Sequence, residues 1–181
     1  MIEVENKFQP TDEQLTALLA DAKFVGEIVF HDTYYDYSDY SLFEDRVYFR
    51  NRDGHFELKI QVAEGSHEEI DDEAAIQKYF NTTKSLANFI RENLIEVINV
   101  TTRRRKYLKE AISIEVDEMD FGYKCIEIEI LVALKEDIPK ALEKIMNLAK
   151  QYGFKNQKAP AKRKEYFRVK KPLLFEEFYG E

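Results

Sequence analysis

A short segment near the start of the chain alternates between charged and apolar side chains. In residues 2–8 the odd positions are Glu3, Glu5 and Lys7, and the even positions are mostly apolar. Successive side chains of a β-strand point to opposite sides, so this period of two predicts a strand with one charged and one apolar face. A single strand of this kind is explained equally well as half-buried, with its polar face in solvent. Because later segments repeat the pattern, charged faces must be accommodated throughout the fold.

Composition and charge restrict the class of protein. The 181 residues are 44% hydrophobic, enough to bury a core, and the length predicts one domain over 1–181. No apolar run approaches the ~20 residues that span a bilayer, and the amino terminus is acidic, so we expect a soluble, cytoplasmic protein without a membrane partner. A net charge of −8 argues against duplex nucleic acid as a partner. The oligomeric state stays open.

Local patterns predict the order of strands and helices. Alternating or β-branched segments predict strands at 24–36, 46–52, 56–61, 97–107, 111–118 and 124–130, with the turn dipeptide Asp53-Gly54 joining two of them. Capping residues and apolar stripes predict helices at 11–22, 72–80, 83–95 and 137–153. We interpret 64–69 as a loop, 165–169 as a short strand and 173–178 as a closing helical turn.

The single cysteine, two isolated histidines and one basic run indicate little about function. Cys125 is the only cysteine, so it forms no internal disulfide, and its isoleucine-rich neighbourhood favours a core position. His55 and His67 stand singly near turns without metal-ligand spacing, and we interpret both as surface residues. The basic run 103–106 splits between two faces of a strand, so only half of it could meet a nucleic acid.

The charged faces of the strands form an acidic set and a basic set. The acidic set is Glu3, Glu5, Glu115, Asp117, Glu127 and Glu129, and the basic set is Lys7, Arg50, Arg52, Lys59, Arg103, Arg105 and Lys162. Clustered carboxylates repel one another unless cations neutralise them, and oxygen ligands suit hard divalent metals. Converging guanidinium and ammonium groups are a usual way to hold polyphosphate. The two sets together indicate a metal-chelated polyphosphate, while a sheet with solvent-facing salt bridges remains the alternative.

Helices that can cover apolar strand faces favour a closed arrangement over an open sheet. We therefore predict an α+β fold in which an antiparallel β-barrel is charged inside and apolar outside, with helices packed on the outside. The lumen of such a barrel must contain water, ions and ligand, since unpaired charges buried without them are very costly.

An ordered set of motifs resembles a known superfamily. Residues 2–8 look like the Glu-x-Glu-x-Lys signature of the CYTH superfamily, the triphosphate tunnel metalloenzymes. The resemblance continues in order through 31–36, 41–42, 49–52, 57–59, 120–123, 127–129 and 159–162. The segments Asp-Thr-Tyr-Tyr-Asp, Asp-Phe-Gly-Tyr and Ala-Pro-Ala-Lys are similar to those of the thiamine triphosphatases in particular.

The resemblance implies a fold, a reaction and a set of site residues. It implies an eight-stranded antiparallel barrel that binds a linear triphosphate with Mg²⁺ or Mn²⁺. Glu3, Glu5, Glu127 and Glu129 would hold the metal, helped by Glu115 or Asp117. Lys7, Arg50, Arg52, Lys59, Arg103, Arg105 and Lys162 would grip phosphate, with Glu69 as a further acidic tunnel residue. Lys7 and Tyr34 resemble a catalytic pair, in which Lys7 would be a base with a lowered pKa. Tyr48 stands where vertebrate thiamine triphosphatases carry a tryptophan that meets thiamine.

Three functions therefore follow from the resemblance and the charge pattern. The first is a metal-dependent hydrolase that releases the terminal phosphate of thiamine triphosphate or inorganic tripolyphosphate. The second is a class IV adenylyl cyclase, in which the ribose 3′ oxygen of ATP attacks the α-phosphate. The third is a non-catalytic module that binds polyphosphate or a nucleotide, which the acidic set disfavours because anion binding alone needs no metal ligands.

Overall fold

Eight antiparallel strands close into a ring in the computed structural model, which describes residues 1–180. The strands are β1 (Ile2–Phe8), β2 (Lys23–Asp36), β3 (Val47–Arg52), β4 (His55–Ala63), β5 (Ser66–Ile70), β6 (Ile95–Lys109), β7 (Ile112–Met119) and β8 (Lys124–Val132). Their order around the ring is β1-β5-β4-β3-β2-β6-β7-β8. β1 closes the ring because it pairs with β5 on one side and β8 on the other. The predicted closed eight-stranded barrel is confirmed.

The helices lie between and after the strands. They are α1 (Asp12–Leu19), α2 (Ser41–Glu44), α3 (Glu73–Tyr79), α4 (Leu86–Asn93), α5 (Ile138–Gln151), α6 (Lys162–Lys170) and α7 (Pro172–Tyr179), with a short 3₁₀ turn at Lys135–Asp137. α1 begins in the predicted capping box, in which Thr11 and Gln14 each accept the other's backbone N–H. None of these helices combines the length and apolar character needed to cross a bilayer.

Apolar residues cover the outside of the ring in two places. Ile145 of α5 packs with Val4 of β1 and Ile128 of β8, and all three side chains are fully buried. On another side Ile76 of α3 packs in a cluster with Phe49 of β3. Each buried side chain of this size contributes roughly 1.5–3 kcal/mol of transfer free energy. The apolar alternate positions of the strands therefore fix which faces point outward.

The carboxyl-terminal helices pack against one end of the ring. Phe167 of α6 is 1% exposed and lies in a cluster with Val97, Met119 and Tyr123. The Tyr123 hydroxyl donates to the Pro160 carbonyl at 2.6 Å, which ties the segment before α6 to the β7–β8 turn. α6 and α7 consequently bring their own side chains to the end of the interior.

Two local predictions are wrong. The segment 64–69 was expected to be a loop, but Ser66–Ile70 is strand β5, because its backbone pairs with β1 and β4 on both sides. The segment 165–169 was expected to be a strand, but it lies inside α6. Its aromatic residues favour a strand locally, yet burial of Phe167 decides in favour of the helix.

Candidate active site

Inward-facing side chains of the ring line a cavity of about 680 Å³. β1 contributes Glu3, Glu5 and Lys7, the three charged residues of the opening segment. Every strand adds polar or charged side chains, and α6 adds Lys162. Of the predicted site residues, those that line the cavity are Glu3, Glu5, Lys7, Tyr34, Tyr48, Arg50, Arg52, Lys59, Glu69, Glu115, Glu127, Glu129 and Lys162. The acidic and basic sets therefore face one interior.

Lys7 lies between two carboxylates. Its Nζ is 2.5 Å from Glu5 Oε1 and 2.8 Å from Glu127 Oε1. Burial disfavours the ammonium, but the carboxylates of Glu127 and Glu5 outweigh it and raise the pKa of Lys7 well above its ordinary value. The expectation of a lowered Lys7 pKa is therefore wrong for this arrangement, in which Lys7 is a cation.

Lys59 of β4 joins the carboxylates of β1 to that of β5. Its Nζ is 2.7 Å from Glu3 Oε1, 3.5 Å from Glu5 Oε2 and 3.4 Å from Glu69 Oε1. Burial raises the pKa of Glu3 against the pull of Lys59, and the Glu5 carboxylate adds to the rise. Burial also opposes ionisation of Glu5, but Lys7 and Lys59 outweigh it and lower its pKa. The two adjacent carboxylates thus differ in their preference for a proton.

Arg104 of β6 is the centre of a second network. It donates to both Asp117 oxygens at 2.7 Å and to Glu127 Oε2 at 2.8 Å, and it also pairs with Glu115. Lys162 of α6 reaches the same carboxylates, at 2.6 Å from Asp117 Oδ2 and 3.0 Å from Glu127 Oε1. The Asp117 carboxylate is fully buried, and Arg104 and Lys162 together bind both of its oxygens.

Two arginines of β3 extend the basic lining. Arg52 forms a bidentate pair with Asp32 of β2, at 2.7 and 2.8 Å, and its guanidinium lies 4.0 Å from the centre of the Phe30 ring. Arg50 pairs with Glu57 and donates to the Tyr34 hydroxyl at 3.0 Å. The Tyr34 hydroxyl therefore accepts from a guanidinium and keeps its own proton available to the cavity.

Arg103 and Arg105 were predicted to face the tunnel, and this is wrong. Arg103 is exposed and Arg105 pairs with Glu118 outside the cavity, whereas Arg104 and Lys106 line it. The cause is the register of β6 with β7, which sets Arg104 opposite Asp117 and Lys106 opposite Glu115. Alternation separates the two faces of β6 but does not say which one turns inward.

Other lining residues were missed by sequence reasoning. Asp32 and Glu57 were not assigned to the site, although each is the partner of an arginine that was. His67 was interpreted as a surface residue, but its side chain is only 13% exposed and lines the cavity, with Nδ1 3.8 Å from Glu5 Oε1. His67 was missed because 64–69 was interpreted as a loop. If β5 had been recognised as a strand, its pairing with β1 would have placed His67 opposite Glu3.

The carboxylates of the ring have the donor chemistry of a divalent-metal site. Within residues 1–180, no three His, Cys, Asp or Glu side chains converge in an arrangement that holds an ion as it stands. The donor chemistry nevertheless fits, since the ring sets Glu5 directly opposite Glu129 and Glu115 directly opposite Glu127. Like charges directly opposite one another are destabilising, and all four groups are the hard oxygen donors that Mg²⁺ and Mn²⁺ prefer. The ligand assignment stays a prediction.

Comparison with known protein families gives one match over most of the chain. The model of the CYTH domain matches residues 1–161, which include all eight strands. The match ends just before Lys162, at the start of α6.

Two curated relatives carry the same name. The chain is 30% identical to the thiamine-triphosphatase of Homo sapiens over 197 residues, covering 90% of this chain and 82% of the relative. It is 30% identical to the thiamine-triphosphatase of Macaca fascicularis over 205 residues, covering 97% and 88%.

Solved structures share the fold. The PH1819 protein of Pyrococcus horikoshii is 26% identical with a TM-score of 0.61, covering 84% of this chain and 90% of that one. The HpAC1 protein of Hippeastrum, described as having a dominant triphosphatase activity, is 18% identical with a TM-score of 0.54, covering 92% of this chain and 94% of that one. The latter likeness concerns the fold alone.

Proposed function

Since the chain belongs to the CYTH domain family, we propose that it is a metal-dependent triphosphatase that releases the terminal phosphate of thiamine triphosphate or inorganic tripolyphosphate. The observation that carries this proposal is the interleaving of acidic and basic side chains around one cavity. A metal-chelated triphosphate supplies both partners that such a lining needs, namely cations for the carboxylates and anions for the lysines and arginines.

The basic residues would bind and orient the triphosphate. The basic residues come from three strands and one helix, so they approach the cavity from several sides. They are Arg50 and Arg52 of β3, Lys59 of β4, Arg104 of β6 and Lys162 of α6. Their present carboxylate partners hold them in position, and phosphate oxygens would compete for the same donors. Holding a substrate in reactive geometry is a large part of phosphoryl-transfer catalysis.

The carboxylates on β1, β7 and β8 would hold the metal. Glu3, Glu5, Glu127 and Glu129 are the proposed ligands, with Glu115 assisting, while Asp117 serves mainly to position Arg104 and Lys162. A bound divalent ion would stabilise the charge that develops on the phosphate oxygens and lower the pKa of bound water.

Lys7 and Tyr34 would act directly on the substrate. Lys7 is a half-buried cation beside Glu5 and Glu127, so its proposed role is to stabilise negative charge on the phosphate, and not to remove a proton. Tyr34, whose oxygen accepts from Arg50, would donate a hydrogen bond to a phosphate oxygen.

A substrate screen tests the proposal. Purified protein is incubated with thiamine triphosphate, tripolyphosphate, ATP and GTP, each with Mg²⁺ or Mn²⁺ and with a chelator, and both phosphate and cyclic AMP are measured. We expect metal-dependent phosphate release from at least one of the first two substrates. Formation of cyclic AMP from ATP without phosphate release would establish the cyclase instead, and tight metal-dependent binding without turnover would establish a binding module.

A carboxylate variant tests the metal assignment. Glu129→Gln keeps the size of the side chain but removes the charge that a metal ligand needs, and Glu129 is 14% exposed, so the fold should tolerate it. We expect loss of at least ~100-fold in turnover, the range seen when a preorganised electrostatic group is removed. Glu118→Gln on the outer face of β7 is the matched control. Wild-type turnover in Glu129→Gln would refute the assignment.

A further inference from the structure

Aromatic side chains gather at the end of the cavity where α6 and α7 pack. We call this the aromatic end and define it by Phe43, Tyr48 and Tyr179, all of which line the cavity. The Phe43 and Tyr48 rings are 6.0 Å apart, and Phe43 also packs near Phe167 of α6. Apart from Lys162 of α6, the charged residues of the proposed triphosphate site lie on the strands, so the aromatic end is where a substrate's remaining group would lie.

Arg163 of α6 stands in the middle of the aromatic end. Its guanidinium carbon is 4.6 Å from the centre of the Phe43 ring, 5.3 Å from that of Tyr48 and 5.9 Å from that of Tyr179. Its Nε donates to the Tyr179 hydroxyl at 2.9 Å, and Nη1 donates to the Phe43 carbonyl at 3.4 Å. Three rings and two hydrogen bonds therefore fix the cation beside the cavity.

The charge of Arg163 has no carboxylate partner among residues 1–180. Arg50, Arg52, Lys59, Arg104 and Lys162 in the interior each pair with at least one carboxylate, whereas the contacts of Arg163 are to rings and neutral oxygens. Arg46 and Lys164 also line the cavity and add positive charge without an ion pair in the described part of the chain. Glu64 and Asp71 are lining carboxylates on exposed turns, and neither pairs with Arg163.

An unneutralised cation on aromatic faces discriminates between substrates by charge. The thiazolium ring of thiamine is itself a cation, which would be attracted to the face of a ring such as Tyr48 if that face were available. Here Arg163 already occupies it and repels a second positive charge. An anionic phosphate group at the same place would be attracted instead.

We infer that Arg163 is a specificity residue that makes inorganic tripolyphosphate a better substrate than thiamine triphosphate. The inference rests on the proposed triphosphatase function and narrows its substrate. The guanidinium of Arg163 and a thiazolium held a few ångströms away in a partly exposed site would repel each other strongly enough to change relative affinity by about tenfold. The discrimination should lie in KM more than in kcat, because Arg163 contacts the remote group and not the reacting phosphate.

The experiment compares two substrates in three proteins. We measure kcat/KM for tripolyphosphate and thiamine triphosphate, with Mg²⁺, in wild type, Arg163→Leu and Arg168→Leu. Arg168 lies on the same helix, is exposed and pairs with Glu165, so it is the matched control. We expect the wild type to prefer tripolyphosphate, Arg163→Leu to move the ratio about tenfold towards thiamine triphosphate, mainly through KM, and Arg168→Leu to leave it unchanged.

The outcomes separate the two proposals. If the wild type hydrolyses neither substrate with Mg²⁺, nor with Mn²⁺ in the substrate screen, the proposed function fails. If it hydrolyses them but prefers thiamine triphosphate, or if Arg163→Leu folds and leaves the ratio unchanged, the role of Arg163 is refuted while the function stands. If Arg163→Leu does not fold, two other measurements decide. Arg163→Lys should retain the wild-type preference for tripolyphosphate. Raised salt should shift the ratio of kcat/KM values of the wild type towards thiamine triphosphate, because salt screens the charge of Arg163.

Discussion

Two neighbouring arginines show how much a side chain's surroundings determine its role. Arg104 lies among three carboxylates in the barrel interior, whereas Arg103 is exposed on the outside of the same strand. The residues have the same chemistry and adjacent positions, so their difference comes entirely from the direction in which each points. At the residue scale, the interior is a set of charges that hold one another in position.

The first prediction compares these two arginines directly. Arg104→Gln should lower the free energy of unfolding by about 3–5 kcal/mol, because it removes one of the two cations that pair with the buried Asp117 carboxylate. Arg103→Gln should change it by less than about 0.5 kcal/mol. Urea denaturation measures both values, and phosphate release should fall only in the Arg104 variant. Equal destabilisation of the two variants would contradict the assignment of faces on β6.

The second prediction concerns the pH dependence of Asp32. Burial opposes its ionisation, but Arg52 and Arg50 outweigh burial and lower its pKa below the ordinary value of 3.8. A lowered pKa in the folded protein means that the ion pair stabilises the fold above the unfolded-state pKa, and that this contribution is lost as pH falls through the folded-state pKa. Asp32→Asn should therefore be less stable than wild type at pH 7.

The difference in unfolding free energy between wild type and Asp32→Asn, measured by urea denaturation at a series of pH values, should shrink as the pH falls below 3.8. Asp53→Asn in the exposed β3–β4 turn is the control for a general effect of charge. A difference that is constant from pH 7 down to pH 3 would show that the carboxylate charge of Asp32 contributes nothing.

At the scale of elements, the β4–β5 turn fixes the position of Glu5 through the backbone. The Gly65 carbonyl accepts the Glu5 N–H at 2.8 Å, and Gly65 has φ +69°, in the region that favours glycine. A Cβ at this position would lie 3.1 Å from the Glu5 carbonyl oxygen and 3.2 Å from Leu142 of α5. The turn is therefore held between β1 and α5, and a side chain at position 65 would force its neighbours to shift.

The third prediction tests this close approach. Gly65→Ala should destabilise the fold by about 1–2 kcal/mol, because alanine pays a steric penalty at positive φ and must also displace its neighbours. It should also raise KM for the triphosphate, since Glu5 moves with its backbone. Gly26→Ala in β2 is the control, because nothing lies within 4 Å of the added Cβ and φ is not positive. Thermal denaturation that ranks the two variants equally would contradict this account.

At the scale of the whole molecule, closure of the ring brings together charges that are far apart in the sequence. Glu5 of β1 and Glu127 of β8 both contact Lys7, and Lys59 of β4 reaches back to Glu3. The Lys7–Glu127 contact depends on the pairing of β1 with β8. The Lys59–Glu3 contact depends on the pairing of β1 with β5, which lies between β1 and β4. The charged site therefore forms only when the barrel closes.

The fourth prediction follows from this coupling of ligand and fold. Tripolyphosphate with Mg²⁺ should bind only the folded barrel, and at a concentration of 100 Kd it should stabilise the fold by about 2.7 kcal/mol. For a chain of this length this corresponds to a rise in Tm of roughly 5–10 °C, measured by calorimetry. Sulfate at equal ionic strength is the control. An unchanged Tm with saturating tripolyphosphate would contradict binding inside the barrel.

Sequence reasoning reached the barrel and most of its lining because strand alternation is a local property. The period of two on β1, β7 and β8 assigned Glu3, Glu5, Lys7 and the later glutamates to one face without reference to any other part of the chain. The apolar positions between them, such as Val4 and Ile128, fixed that face as the inner one once helices were available to cover the outside.

Only the tertiary structure decided what local sequence left ambiguous. On β6 both faces carry arginine, so alternation could not choose between Arg103 and Arg104, and the register with β7 made the choice. β5 has no clear apolar period, and its pairing with β1 and β4 made it a strand and turned His67 inward. α6 contains residues that favour a strand, and burial of Phe167 made it a helix that brings Arg163 to the cavity. The sequence determined which side chains alternate, and contacts between distant segments determined which of them share the interior.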